Sequence, residues 1–337
     1  MARYVLYPVN FIHTDTCQVL YIKLARVARE IHFKLILLNI PNILYNSITM
    51  CFMMTGCKYI ANAYPKRFAM TVHPAAIGLV LVGTVLFLSL DMFYIMPKIY
   101  DPDGLFFKIA WLISLFIVYN LLGNMIACHR TSSAVTSLPK DRQIPSPEEE
   151  HLWHFCDQCQ MLVPPRSWHC NLCKCCILRR DHHCIFTATC IGHNNYRYFF
   201  WFTMYMLIGS LLSLATHIHL LVINEEMRRQ YAIIHFTHLI LFFKPMSFKS
   251  IVLNICFVLN IYACILPLIM LGYQIPTLYL NTTFYTPKDL SYNQGLRGNF
   301  MAFMGKRGLC TFISPSIRSP LPHDGTQWQT KQLSSTV

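Results

Sequence analysis

Four apolar runs, at about 75–96, 109–127, 198–223 and 251–273, each reach the roughly 20 residues that a helix needs to cross a hydrocarbon layer. The second contains no charge, the first only Asp91 near its end, and the fourth carries Pro267. Lipid offers no partner to a free N–H or C=O, so runs of this kind must bond their backbone internally, as helices. The fold class expected is therefore an all-α polytopic membrane protein with four transmembrane helices. Composition points the same way: hydrophobic residues make up 54 % of the chain and charged residues 13 %, about half the share usual in soluble domains. An ordinary soluble enzyme, a coiled coil and a disordered scaffold are all disfavoured.

Lys and Arg set the orientation. Eight fall in residues 1–73, eight in 128–197 and six in 277–337, against six in the two remaining loops combined. With four spans, both termini and the 128–197 segment are expected in the cytosol. The chain then divides into a cytosolic N-terminal region (1–73), spans one and two (74–127), a cytosolic module (128–197), spans three and four (198–276) and a cytosolic C-terminal region (277–337). The formal charge of +13 fits basic segments facing an anionic leaflet. Nucleic-acid binding is not expected, because four spans and no recognition-helix spacing argue against it.

Weaker features complete the layout. The stretch 33–54 is apolar but interrupted by Pro41 and three asparagines, and reads as an interfacial segment or a fifth span; 231–243 reads as re-entrant or interfacial. No internal repeat is evident. The tail after Cys310, rich in Ser, Pro, Thr and Gln, is expected to be disordered. His217 and His219 read as lining the bundle or a cavity or, the expected case, as lying at the membrane interface, and Asp91 as helix-paired or snorkelled. Asn281-Thr282-Thr283 spells a glycosylation sequon on the expected cytosolic side, where it stays unmodified. The terminal Ser335, Thr336 and Val337 read as a carboxylate-ended ligand for a sheet-edge binding domain.

Eight of the fifteen cysteines lie between positions 156 and 190, in the run CDQCQMLVPPRSWHCNLCKCCILRRDHHCIFTATC. Cytosolic thiols are kept reduced, so metal ligation or catalysis is favoured over disulfides. C-x2-C pairs occur at Cys156/Cys159, Cys170/Cys173 and Cys173/Cys176, with His169 and His183 nearby. Such pairs present two thiolates to one tetrahedral zinc, whose binding supplies the folding energy that a short loop lacks. If two sites each take three cysteines and one histidine, two cysteines are left over. Cys184, preceded by Asp181, His182 and His183, has the neighbours of an activated nucleophile, a proton acceptor and a carboxylate to orient it. The alternative, that all eight cysteines are structural ligands, stays open on spacing alone.

The run resembles the cysteine-rich domain of the DHHC family of protein S-acyltransferases (palmitoyltransferases). Cys156, Cys159, Pro164, Arg166, His169, Cys170, Cys173, Cys176, Asp181 to Cys184, Cys190, Gly192, Asn195 and Phe199 match the family pattern in order and spacing. The resemblance implies two structural zinc ions, one on Cys156, Cys159, His169 and Cys176, the other on Cys170, Cys173, His183 and Cys190. It also implies that Cys184 is the nucleophile, His182 its base and Asp181 the group orienting that base. Acyl-CoA is the implied co-substrate, with Arg166, Lys174, Arg179 and Arg180 as candidates for the CoA phosphates. Membrane lipid and membrane-associated proteins with cytosolic cysteines are the implied partners, and an endomembrane (Golgi or endoplasmic reticulum) is the implied location.

The sequence departs from the family at Phe186, where Trp is usual, at Thr189, where Asn is usual, and in Thr282-Thr283-Phe284-Tyr285, where the family's T-T-x-E ends in an acid. Thr283 is expected to hydrogen-bond towards Asp181. A later motif is kept in Gly295 and Asn299. The function that the resemblance implies is transfer of a long-chain acyl group, palmitoyl being the one expected, from acyl-CoA to protein cysteines through an acyl-enzyme on Cys184. The alternative is a membrane adaptor whose zinc module binds partner proteins.

Overall fold

The computed structural model describes residues 63–225, Arg228 and residues 248–330. The stretches 33–54 and 231–243 and the terminal Ser335, Thr336 and Val337 lie outside the described residues.

Among the described residues, four helices are long and apolar enough to cross a membrane: Pro65–Ile99, Leu105–Arg130, Tyr196–Ile223 and Ile251–Leu280. The first is built from α1 (Pro65–Leu90), a π-helical turn (Asp91–Ile95) and α2 (Met96–Ile99). The second is α3 (Leu105–Arg130), the third α4 (Tyr196–Ile223) and the fourth lies in α5 (Phe248–Leu280). Each contains one of the apolar runs and overshoots it. Hydropathy ends with the lipid, whereas the backbone ladder continues to the next helix-stop signal. Thus α1 begins at Pro65, whose fixed φ suits a first turn, and residues 65–73, assigned above to the N-terminal region, are helical. Likewise, α5 continues through Pro267 and Pro276 to Leu280, where Asn281 takes the left-handed conformation (φ 53) common just past a helix end.

The outer faces of the spans expose large apolar side chains such as Leu79, Val82, Phe93, Leu112 and Leu268, as lipid-facing surfaces should. Inside the bundle α4 is central, packed against both α3 and α5. A polar seam crosses the half of the bundle remote from the cysteines. There the Thr216 hydroxyl donates to Asp91 (3.2 Å), His217 Nδ1 donates to the Ser213 carbonyl (3.0 Å), and Asn260 pairs with Ser213 (2.7 Å). His217 is 1 % exposed, so it is not interfacial as expected. The reason is that the π turn brings the Asp91 carboxylate onto the same face of α4 and supplies the polar neighbour that the sequence did not reveal. His219, by contrast, is exposed.

Between α3 and α4 the chain forms three small antiparallel hairpins: β1–β2 (His154–Cys156 and Met161–Val163), β3–β4 (Trp168–Cys170 and Cys175–Ile177) and β5–β6 (His182–Cys184 and Thr189–Ile191). They recur every fourteen residues, a repeat the sequence reading did not find. It is carried by backbone geometry and by residues fourteen apart, such as Cys156, Cys170 and Cys184, and His169 and His183. Gln160 (φ 51), Lys174 (φ 57) and Ala188 (φ 49) close the three turns in the same left-handed conformation. Gly192 permits the approach of this module to the strand before it, since a Cβ there would lie 2.5 Å from the Leu178 carbonyl oxygen.

After α5, α6 (Gly295–Met304) and a 3-10 turn (Gly308–Phe312) lead into a tail whose described residues, 313–330, pack against the rest of the protein. The expectation of disorder after Cys310 is corrected for these residues. The tail builds no core of its own, which is what composition detects, but it finds partners on other elements. Arg197 donates to the Ser319 carbonyl (2.6 Å), Arg142 pairs with Asp324 (2.7 Å), Tyr119 pairs with Ser314 (3.0 Å), and Pro315 occupies the space left by Gly123.

Candidate active site

The hairpins interlock through their side chains. The turn of the first offers Cys156 and Cys159, and the strands of the second offer His169 and Cys176. The turn of the second offers Cys170 and Cys173, and the strands of the third offer His183 and Cys190. Each group of four places its ligand atoms within 4.8 Å of one another. In the first, Nδ1 of His169 lies 3.2 Å from Cys159 Sγ, and Cys176 lies 3.7 Å from Cys159. In the second, Nδ1 of His183 lies 3.3, 3.6 and 3.7 Å from Cys173, Cys190 and Cys170. A tetrahedral zinc with Zn–S of 2.3 Å and Zn–N of 2.0–2.1 Å has ligand–ligand edges of roughly 3.5–3.8 Å, so both donor sets fit that ion. Neither set includes Cys175 or Cys184.

The fourteen-residue repeat explains the special position of Cys184. It stands in the third hairpin where Cys156 and Cys170 stand in the first two, and Thr187 stands where Cys159 and Cys173 stand. The third turn thus keeps one thiol of a metal pair and lacks the other, and no fourth hairpin follows to complete a ligand set.

Around that thiol the candidate catalytic groups converge. His182 Nδ1 is 2.8 Å from Asp181 Oδ2, and the imidazole is within bonding reach of Cys184. Asp181, 2 % exposed, also accepts the backbone N–H of Phe284 through Oδ1 (2.7 Å), so both its oxygens are fixed. Burial opposes a charge on His182, yet the Asp181 carboxylate and the Cys184 sulfur raise its pKa to about 10. Burial pushes the Cys184 thiol up, and the bonds from His182 and Thr187 outweigh it, leaving the thiol more acidic than usual. The pair thus favours charge on the imidazole and eases loss of the thiol proton. Cys175 has no such help: burial and the neighbouring thiols push it up.

Cys184 belongs to the main apolar cluster with Phe186, Tyr196, Phe199 and Leu278, which places it where the module meets the helices. Phe186 fills this cluster with an aromatic body, and Phe199 packs edge-on against the His182 ring (5.0 Å). Thr189 faces Cys184 across the β5–β6 register. Thr283 does not reach Asp181 as expected. Its hydroxyl pairs with Thr286 (2.9 Å), and the adjoining Phe284 N–H makes the contact instead. Tyr285, in place of the acid, lies against Trp168 (5.0 Å) with the Arg180 guanidinium over its ring (5.0 Å).

The four cations separate into two pairs. Arg166 and Arg179 are 6 % and 1 % exposed and bond inward. Arg166 donates to the Asn281 carbonyl (2.6 Å) and Arg179 to the Thr282 carbonyl (2.9 Å), while Tyr292, Trp328 and Phe303 cover their guanidinium faces. Burial lowers Arg179 to about 10, still charged at neutral pH. Both are therefore clamps between the module and the end of α5, which corrects the expectation that they meet CoA phosphates. Lys174 is exposed in the second turn and Arg180 is partly exposed.

Further residues support the site. Asn195 bonds the Gly192 N–H and Ser133 hydroxyl through Oδ1 and donates to the Cys190 carbonyl, knitting the last ligand to α3 and α4. His129 at the end of α3 contacts the Thr187 carbonyl (2.8 Å), and His73 in α1 meets His183. Asn195 had a signal in its motif, whereas the two histidines had none, because each lies on a helix far from the cysteines in sequence.

Residues 149–289 match the family model described as DHHC palmitoyltransferase. A curated relative, the probable palmitoyltransferase ZDHHC24 of Rattus norvegicus, is 28 % identical over 255 residues, covering 72 % of this chain and 86 % of that protein. The matched stretch takes in the three hairpins and the third and fourth candidate membrane spans, and it is similar to a DHHC palmitoyltransferase.

Proposed function

We propose that this protein, with its similarity to a DHHC palmitoyltransferase, transfers a long-chain acyl group from acyl-CoA to cysteines of membrane-associated proteins, through a thioester on Cys184. The observation that carries the reading is that Cys184, outside both four-ligand groups, lies beside an imidazole held by Asp181 and is buried against the helices. The module faces the cytosol of an endomembrane, where reduced thiols and acyl-CoA meet.

In the first half-reaction the Cys184 thiolate attacks the acyl-CoA carbonyl. The C–S bond to CoA breaks, and His182 gives its proton to the departing sulfur. In the second, a substrate cysteine gives its proton to His182 and its thiolate takes the acyl group, which frees Cys184. One thioester replaces another, so the enzyme needs thiolate activation and positioning rather than an energy source. Two zinc ions, on Cys156, Cys159, His169 and Cys176 and on Cys170, Cys173, His183 and Cys190, would supply folding energy. Exposure leaves Lys174 and Arg180 as the candidate cations for CoA phosphates. A palmitoyl chain buries about fourteen methylenes at roughly 0.8 kcal/mol each, which is why the nucleophile sits at the apolar boundary.

The test is incubation of purified protein with labelled palmitoyl-CoA. A hydroxylamine-labile label is expected on the native protein and on Cys175→Ser, and none on Cys184→Ser. No label on a folded protein carrying two zinc ions would overturn the proposal and leave a membrane adaptor.

A further inference from the structure

The second metal group has a feature that the first does not share. His183 points Nδ1 at three sulfurs, and its far nitrogen, Nε2, lies 3.1 Å from Nε2 of His73 in α1. The two rings are stacked, with centroids 5.1 Å apart and planes 24° from parallel, and Phe68 closes the edge of the His73 ring. Proton accounting fixes the direction of this bond. With its Nδ1 lone pair given to a metal, neutral His183 carries its one proton on Nε2 and must donate it, so His73 accepts through Nε2 and holds its own proton on Nδ1. The rear nitrogen of a metal-bound histidine usually meets a carboxylate, carbonyl or water, which fixes ring orientation and raises ligand basicity. Here a membrane helix 110 residues away supplies that partner.

We propose that His73 is a positioning residue: it anchors the metal ligand His183 to the first span and thereby aims Cys184. The geometry of β5 gives the reason. Successive side chains along a strand point to opposite faces, so His182 and Cys184 share one face and His183 takes the other. Holding the His183 ring by both nitrogens fixes the rotation of the strand about its own axis, and with it the direction of the thiolate and its imidazole. The Thr187 carbonyl bond to His129 pins the turn of the same hairpin to α3, and the Phe284 bond pins Asp181 to the chain after α5. His73 adds a directional polar contact from α1, whose Ala76 also packs in the apolar cluster of Cys184. A misplacement of about 1 Å at a reacting group costs on the order of 10²-fold in rate.

The inference rests on the zinc and acyl-transfer readings above, and its test separates all three. His73→Phe keeps a flat ring without an acceptor, and His73→Gln keeps an acceptor near the Nε2 position without a ring. Zinc content, the rate of zinc release to a chelator, and the ligand-field spectrum of the cobalt-substituted protein are measured beside Cys184 labelling. In His73→Phe, one of the two zinc ions is expected to leave roughly 10- to 100-fold faster, the cobalt spectrum to shift and labelling to slow. His73→Gln is expected to restore all three towards the native values. Native behaviour in His73→Phe, or equal damage in both variants, would overturn the proposal in favour of simple ring packing. Absence of zinc from the native protein would overturn it together with the metal reading. The expected zinc and cobalt effects with no label on any variant would support the anchor and overturn acyl transfer alone.

Discussion

Asp181 holds two partners, the His182 ring and the Phe284 N–H, one on each carboxylate oxygen, and this fixes the carboxylate without the acid that Tyr285 replaces. His182→Ala is expected to slow Cys184 labelling by about 10²- to 10⁴-fold, the usual contribution of a positioned acid–base group, with zinc content unchanged. Labelling rates under saturating acyl-CoA check this. Asn281 matters for a different reason. Its Oδ1 faces the Arg166 and Arg179 guanidinium groups, and its Nδ2 donates to the Tyr292 carbonyl (2.8 Å). Asn281→Ala leaves two buried cations short of an acceptor, at about 1.5–3 kcal/mol per charged hydrogen bond lost. A lowered midpoint in thermal unfolding of the detergent-solubilised protein is the expected result.

At the scale of the element, three hairpins share one backbone and differ in what their turns carry. The first two turns end in a second cysteine and the third in Thr187. Restoring the pair with Thr187→Cys is expected to turn Cys184 from a nucleophile into half of a metal clamp. Labelling of that variant should then be blocked by added zinc at concentrations that leave the native protein active; zinc-insensitive labelling would show that the turn cannot bind. Stripping metal from the native protein should melt the hairpins, whose strands are three residues each and build little core. Protease cleavage within 150–195 is expected to rise, while far-ultraviolet circular dichroism from the four long helices persists.

Across the whole molecule, the tail fastens the module to the bundle. His323 stacks on His193 (4.8 Å), whose Nε2–H donates to the His323 carbonyl (2.9 Å), and Trp328 packs on both rings and on Arg166. Burial lowers His193 to about 3 and His323 to about 4, with the nearby guanidinium charges of Arg179 and Arg166 adding to the effect. Both groups bind protons more readily when the tail is undocked, near the ordinary value of 6.5. Docking is therefore fully stable above pH 6.5 and weakens as pH falls towards 4 and 3, by about 1.4 kcal/mol per unit for buried His193. The carboxylate of Asp324, despite its own desolvation, is held down to about 2 by Arg142 and Thr326, so it stays charged until the histidines have titrated. Trp328 fluorescence should report release on acidification, and the transition should vanish in Trp328→Phe while persisting as tail proteolysis.

Much of this protein was legible from residue order because two constraints act locally. Lipid requires every spanning segment to bond its own backbone, so four apolar runs imply four helices. Zinc requires soft donors at close spacing, so C-x2-C pairs and their histidines mark the module before any contact is known. What residue order could not convey were pairings between distant segments. These include the fate of Arg166 and Arg179, the burial of His217 against Asp91, the ordered tail, the Phe284 N–H on Asp181, and His73 behind His183. Each depends on which helix end or strand face arrives beside another, and only packing in three dimensions decides that.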